Sequence, residues 1–281
     1  MRIAVVAPSS RFSEEAARRV AAIAARAQPG LDLHFHPQCF LTHNHFAGTD
    51  AARADALVEA ANDPAVDAIW FARGGYGSCR IAEAALARLG PAARGKAWLG
   101  YSDAGFLLAG LYRAGFANIA HGPMPQDAMR DGGEAAVERA LAWLAARAPE
   151  ALEPGLESGR PHAAFNITVL GMLLGTALEP NLEDHILLLE EVSEHLYATD
   201  RALFHLAANP AIRRVAGIRL GRVNDVKPNE PDFGESAEEV ARHWCERYAI
   251  PWLGRADIGH DSANKVVPFG RFDLRTKAVS G

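Results

Sequence analysis

Short apolar runs and helix-spaced apolar positions alternate along the first half of the chain. "IAVVAP" (3–8) is apolar and β-branched, and "SEEAARRVAAIAARA" repeats Ala17, Val20, Ala21 and Ala24 at helical spacing. "LDLHFHP" alternates like a strand. "TDAARADALVEAAND" predicts a helix capped by Thr49 or Asp50, with Ala54, Leu57, Val58 and Ala61 on one face. "DAIWFA" (67–72), "KAWLGY" and "FANIAHGP" predict further strands; "CRIAEAALARL" and "DAGFLLAGLYRAG" predict the helices between them. Strands alternating with helices imply right-handed crossovers and a parallel sheet covered on both faces. Ligands of such sheets sit at the carboxyl edge of the strands. That edge carries "SSR" (9–11), "RGGYGS" (73–78), "YSD" (101–103) and "HGPMP" (121–125).

A helix over "EAAVERALAWLAAR" closes this half near Arg147. "APEALEPGLESGRPHAA" is rich in Pro, Gly and Glu without periodicity and reads as a linker. The expected division is an N-terminal α/β domain over 1–148, a linker over 149–164 and a C-terminal domain over 165–281. The second half opens with "FNITVLGMLLGTAL". Then come a strand "HILLLEEV" (185–192), a helix "YATDRALFHLAA", a strand "VAGIRLGRV", a helix "AEEVARHWCERYA" and strand-like runs in "PWLGRAD" and "KVVPFG".

Composition narrows the class. The 281 residues are 49% hydrophobic and 22% charged, enough for a substantial core, and the net charge of −5 gives no reason to expect nucleic acid or an anionic membrane as partner. The start "MRIAVVAPSS" reads as a buried strand and not as a signal peptide, and no apolar run approaches the ~20 residues of a membrane helix. Three widely spaced cysteines, Cys39, Cys79 and Cys245, do not suggest a disulfide framework. A reduced, cytoplasmic protein is expected.

The chemistry centres on "LGYSDAG". A serine on a sharp strand-to-helix turn exposes its hydroxyl beside backbone N–H groups that favour an oxyanion. Ser102 is such a candidate nucleophile; alternatively, Ser102 or Asp103 is a plain helix cap. "RGGYGS" lacks the spacing of a dinucleotide or P-loop cradle. It serves either as a tight turn or as part of an oxyanion hole through the Gly75 N–H. A serine needs a base, and the base an orienting acid. Among eleven histidines, His260 in "IGHDSANK" stands out because it follows an apolar strand and a glycine. Glu190 ends an apolar strand, where a carboxylate is costly unless it is paired or at the strand's exposed end; the plain alternative makes Glu190 a strand-end charge and His260 a turn residue. Strand alternation makes Glu191 its solvated neighbour. "LHFHPQCFLTHNHF" holds His34, His36, Cys39, His43 and His45, but Pro37 interrupts it and no carboxylate is near, so a solvated strand end is preferred to a metal site.

Read together, these motifs resemble the LD-carboxypeptidase family, serine peptidases that include muramoyltetrapeptide carboxypeptidases and microcin-immunity peptidases. The resemblance rests on "HFAGTDAARADALVEAANDPAVDAIWFARGGYGS" (45–78), "LGYSDAG", "HGPM", "LGT", "ILLLEEV" with "DRAL", "AGIRLGR", and "GH" ahead of "PFG". It implies a flavodoxin-like or amidotransferase-like N-terminal sheet domain and a smaller, swivelling, barrel-like C-terminal α/β domain. It assigns Ser102 as nucleophile, His260 as general base, Glu190 as its orienting acid, and the Gly75 and Asp103 N–H groups as oxyanion hole. The triad would then meet across the domain interface. Asp103 could start the helix with its side chain while its N–H faces the oxyanion.

The implied activity is release of a terminal D-alanine from murein tetrapeptide in wall recycling, with no cofactor and no metal, by a cytoplasmic homodimer. Arg73, Tyr76, Asn166 and Arg201 are candidates for substrate binding, the arginines for its carboxylate. Two readings stand beside this one: a related peptidase acting on aminoacyl-nucleotide antibiotics, and a non-catalytic anion-binding protein. Two departures touch the substrate side. "AFNITVL" replaces a glycine-rich turn, and Asp261 follows His260 where threonine is usual; Asp261 would either compete for the imidazole or face solvent.

Overall fold

The computed structural model describes residues 1–272 and the backbone of 279–280. The first sheet is built from β1 (Arg2–Val6), β2 (Asp32–Phe35), β3 (Ala68–Phe71), β4 (Ala97–Gly100) and β5 (Ile119–His121), all parallel, in the order β5-β4-β3-β1-β2. This is the doubly wound order, whose switch point lies between β1 and β3. The connecting helices are α1 (Glu14–Ala27), α2 (Asp50–Asn62), α3 (Ser78–Leu86) and α4 (Gly105–Arg113), with α5 (Gly133–Ala146) closing the half. Short polar side chains start two of them. Ser13 accepts from Ala16 N at 3.1 Å, and Thr49, not Asp50, accepts from Ala52 N at 3.1 Å.

The second sheet holds four parallel strands, β6 (Pro161–Asn166), β7 (Ile186–Val192), β8 (Gly217–Asn224) and β9 (Trp252–Arg255), in chain order. Three helices, α6 (Ile167–Leu173), α7 (Leu196–Ala208) and α8 (Ala237–Arg247), accompany it. Strand β6 begins inside the stretch whose Pro and Gly content marks it as linker. All six of its residues are buried, as a central strand covered on both faces requires, the polar His162 and Asn166 among them.

After β9 the chain returns to the first sheet. β10 (Val267–Pro268) pairs antiparallel with β5, His121 opposite Val267. β11 (Gly270–Phe272) then adds to β6, and β12 (Val279–Ser280) to β11. The two sheets are thus stitched by one segment. Phe165 and Phe269 pack edge to face at 5.1 Å, and Gly105 has only hydrogen where a Cβ would sit 2.9 Å from Val169 Cγ1. Apolar residues of both halves share one core. The irregular 256–266 segment leads from β9 in the second sheet to β10 in the first.

Candidate active site

Ser102 follows β4 and Tyr101 at the start of one 3₁₀ turn that leads into α4, with φ of +59°. A non-glycine residue in that region costs about 1–3 kcal/mol and persists only where surroundings enforce it. Gly100 supplies part of the enforcement: a Cβ there would lie 2.8 Å from Phe71 Cδ2. Neither Ser102 nor Asp103 caps the helix with its side chain. The Asp103 carboxylate instead accepts from Ser78 N at 2.8 Å, at the head of α3, and from Ser9 Oγ. Ser78 Oγ donates to the Asp103 carbonyl. The expectation that Asp103 caps its own helix is therefore corrected. Its side chain ties the β1 and β3 turns to the serine.

The glycine loop after β3 lies against the serine. A Cβ on Gly74 would stand 2.7 Å from Ser102 Oγ and 3.5 Å from Asp103 N, so only hydrogen fits. Gly75 has φ of +110° and backs onto the Ser10 side chain. Among the described residues the N–H groups of Gly75 and Asp103 have no hydrogen-bond partner. Two free donors beside a hydroxyl are what an oxyanion hole requires. Sequence reasoning passed over Arg53, which braces this loop. It is wholly buried on α2, donates to the carbonyls of Gly77 (2.8 Å) and Pro8, and lies 4.6 Å from the Phe46 ring centroid. Its place four residues before Leu57 on the buried face was the available signal.

Glu190, on β7, is completely buried and accepts from Nδ1 of His260. That bond fixes the tautomer with Nε2 as acceptor. The His260 backbone N–H donates to Asn224 Oδ1 at 2.9 Å, and its ring lies 4.8 Å from that of Tyr101, the neighbour of Ser102. Burial pushes the His260 pKa down, but the charge and hydrogen bond of Glu190 outweigh it and leave the value raised. No hydrogen bond joins Ser102 Oγ to His260 among the described residues; such contacts commonly tighten only with substrate in place. Tyr101 is held from behind by Asp127, its hydroxyl donating to Oδ1 at 2.8 Å, and Arg130 Nε donates to the same oxygen at 3.0 Å.

Three expectations about neighbours change. Glu191 is 2% exposed, not solvated. The β7–β8 register shifts between Leu189 and Glu191, which breaks simple alternation, and both sheet faces are covered. Glu191 accepts from Asn166 Nδ2 (2.6 Å), Thr168 N (2.9 Å), Thr168 Oγ1 (2.7 Å) and Val192 N (2.9 Å), while burial raises its pKa. Asn166 is consequently engaged at both ends, since its Oδ1 caps α6 by accepting from Val169 N at 3.1 Å. Asp261 neither touches the imidazole nor stands free; it pairs with Arg222 and accepts from Asn224 Nδ2 at 3.1 Å.

Of the other candidates, Tyr76 is 51% exposed beside His45 and Phe46, with ring centroids 6.3 and 6.1 Å away. Arg73 donates to the Arg11 carbonyl at 3.1 Å, its Nε is buried without a partner, and burial lowers its pKa. Arg201 is exposed on α7, 5.6 Å from the Tyr197 ring centroid, with no ion pair among the described residues. In the histidine-rich segment, Cys39 is buried with its pKa pushed up to about 12 by burial, and His36 Nδ1 accepts from Gln38 N at 3.1 Å. The described residues hold no group of three or more His, Cys, Asp and Glu side chains that could bind a metal.

Known proteins match both halves of the chain. Residues 3–122 match the LD-carboxypeptidase N-terminal domain and residues 163–272 the LD-carboxypeptidase C-terminal domain. The chain is 27% identical over 286 residues to the murein tetrapeptide carboxypeptidase of Pseudomonas aeruginosa, covering 96% of this chain and 91% of that one. The muramoyltetrapeptide carboxypeptidase from Oxalobacter formigenes superposes with a TM-score of 0.78 at 22% identity, over 96% of this chain and 93% of the other. The microcin C7 self immunity protein MccF in complex with aspartyl sulfamoyl adenosine does so with 0.78 at 21% identity, over 96% and 91%. These two structures share the fold.

Proposed function

Because the chain belongs to the LD-carboxypeptidase family, we propose that this serine-type carboxypeptidase releases the terminal D-alanine of murein tetrapeptide in peptidoglycan recycling, with Ser102, His260 and Glu190 as its triad. His260 Nε2 takes the Ser102 proton as Oγ attacks the carbonyl carbon. The developing oxyanion settles on the Gly75 and Asp103 N–H groups. The imidazolium, held by Glu190, gives its proton to the leaving amine as the C–N bond breaks. Water repeats the sequence on the acyl-enzyme, freeing the shortened peptide and restoring Ser102.

The observation that carries this reading is the buried Glu190–His260 bond, with the imidazole against Tyr101 one residue from a left-handed serine. Arg201 is the better carboxylate-binding candidate, because Arg73 already serves the Arg11 carbonyl. The proposal includes the division of labour by which 1–148 supply Ser102 and 165–281 supply Glu190 and His260. It also includes a cytoplasmic homodimer, which cell fractionation and sedimentation test. Among the described residues no helix is long and apolar enough to cross a membrane.

The deciding experiment gives murein tetrapeptide to the wild type and to Ser102→Ala. The variant is expected to lose D-alanine release by roughly 10⁴-fold or more. Release at the wild-type rate would overturn the mechanism. A serine-directed phosphonate is expected to label Ser102, and an absent adduct would favour a binding protein.

A further inference from the structure

His260 sits in the 256–266 segment, which crosses between the two sheets without regular structure. An irregular segment does not by itself hold an imidazole to the fraction of an ångström that proton transfer requires. Glu190 fixes the ring at one atom only, leaving the backbone to be placed by something else. Three residues outside the triad do so.

Asn224 is the last residue of β8, opposite Val192 at the end of the strand that carries Glu190, and its carbonyl accepts from Ser193 N at 3.0 Å. Its side-chain orientation is determined by its partners. The His260 N–H can only donate and the Asp261 carboxylate can only accept, so Oδ1 faces the first and Nδ2 the second. Asp261 is steadied by Arg222 Nε and by Ala263 N at 3.0 Å. Arg222 also reaches back with Nη1 to Asp257 Oδ1 at 2.5 Å, so one guanidinium grips both ends of Asp257–Asp261. Between those ends, Arg222 N donates to the Ile258 carbonyl at 2.8 Å. A Cβ on Gly259 would lie 2.9 Å from both Arg222 Cβ and Asn224 Oδ1, so the loop rests directly on β8.

We infer that Asn224, oriented by the Arg222–Asp261 ion pair, is a positioning residue that ties the backbone of His260 to the strand edge bearing Glu190. Base and orienting acid are thereby mounted on one pair of strands, while the serine comes from the other sheet. Asp261 acquires a purpose: it replaces solvent or threonine with the acceptor that selects the productive orientation of the Asn224 amide. The inference rests on His260 being the general base.

The test uses the full chain with murein tetrapeptide and four variants. Asn224→Ala is expected to lower kcat by about 10- to 100-fold with KM within a few-fold. It should also shift or broaden the downfield proton resonance of His260 Nδ1. Asp261→Asn, which keeps the shape and an acceptor, should fall between it and the wild type. Arg222→Lys should resemble Asp261→Asn, because one ammonium cannot span Asp257 and Asp261 as a guanidinium does. If Asn224→Ala fails to fold, the same kcat and resonance changes in Asp261→Asn carry the test. Wild-type kcat and an unmoved resonance in the folded Asn224 and Asp261 variants would overturn the positioning role. His260→Ala separates the two readings: turnover at the wild-type rate there would instead refute His260 as the base.

Discussion

The carboxylate of Asp103 accepts from the Ser78 N–H across 2.8 Å, so the residue beside Ser102 caps the helix that follows the neighbouring strand. The same oxygen takes the Ser9 hydroxyl from the turn after a third strand. One side chain therefore couples the turns after β1, β3 and β4, the three turns that border the candidate oxyanion hole. With its side chain occupied sideways, Asp103 keeps its own N–H without a hydrogen-bond partner among the described residues.

Removing that link should cost both stability and rate. Asp103→Ala leaves Ser78 N–H and Ser9 Oγ buried without an acceptor, at about 1–3 kcal/mol for the unpaired groups. Asp103→Asn can present its amide oxygen to both donors and should lose less. Urea denaturation of the two variants checks the order. Equal losses would mean that the hydrogen bonds to this oxygen are not what holds the turns.

Gly74→Ala tests how closely the glycine loop is pressed on the serine. Gly74 does not have a positive φ, so its alanine carries no backbone penalty, only a Cβ 2.7 Å from Ser102 Oγ and 2.8 Å from Ser102 Cβ. The serine must move, and activity is expected to fall by ~10²-fold or more while the protein stays folded. Gly30→Ala, with nothing within 4 Å of the added carbon, should remain fully active. Phosphonate labelling of Ser102 at the wild-type rate in Gly74→Ala would contradict the contact.

Much of the first sheet was legible because its period is local. Four apolar runs and the alternating "LDLHFHP", separated by helical spacing, place "SSR", "RGGYGS" and "YSD" on one rim, and β1 to β5 occur where those segments lie. The C-terminal half was less legible because its decisive features are not local. Strand β6 is written in residues such as His162, Ala163 and Ala164 that carry little strand signal and are strands through burial between β7 and β11. Glu191 defeated alternation through a register shift that depends on β8. Pairing of His260 with Glu190, 70 positions apart, came from a family resemblance and not from spacing; with eleven histidines, residue type alone left the base open. Asn224 had no sequence signal and Arg222 only its place at the end of "AGIRLGR", with no hint of its role, since only the folded loop brings the two under His260.

Glu190→Gln should change the pH profile in a defined direction. Glu190 raises the His260 pKa against the downward pull of burial, so the neutral base is lost at a pH above the ordinary histidine value. Replacing the charge removes the larger of the two carboxylate influences that oppose burial, leaving only that of Asp127. The acid limb of kcat/KM should therefore move to lower pH while the maximum falls by roughly 10²–10⁴-fold, because the imidazolium is no longer stabilised and its tautomer no longer enforced. Initial-rate measurements from pH 5 to 9 decide it. An acid limb left in place would show that some other group sets it.

Acid stability should be governed by histidines outside the triad. His121 lies fully buried beneath Tyr101, donating from Nε2 to Asn264 Oδ1 at 3.3 Å, and burial lowers its pKa to about 4. His162 is likewise buried and lowered to about 4. In the unfolded chain both titrate near the ordinary value of about 6.5. Between those values the unfolded state binds more protons, so each histidine contributes stability that is complete above pH ~6.5 and lost as pH falls toward 4. The full loss is on the order of 3 kcal/mol per group for a shift of this size. His260, whose pKa is raised, runs the other way: its contribution is present below the unfolded value and disappears as pH rises through the folded one. Urea unfolding at pH 4.5, 5.5 and 7 should therefore show declining stability on acidification. His185, also lowered by burial, adds to the same decline, so His121→Gln, which keeps an N–H donor but does not titrate, should make the slope shallower without abolishing it. A variant with the same slope as the wild type would mean that His121 is already protonated in the folded protein.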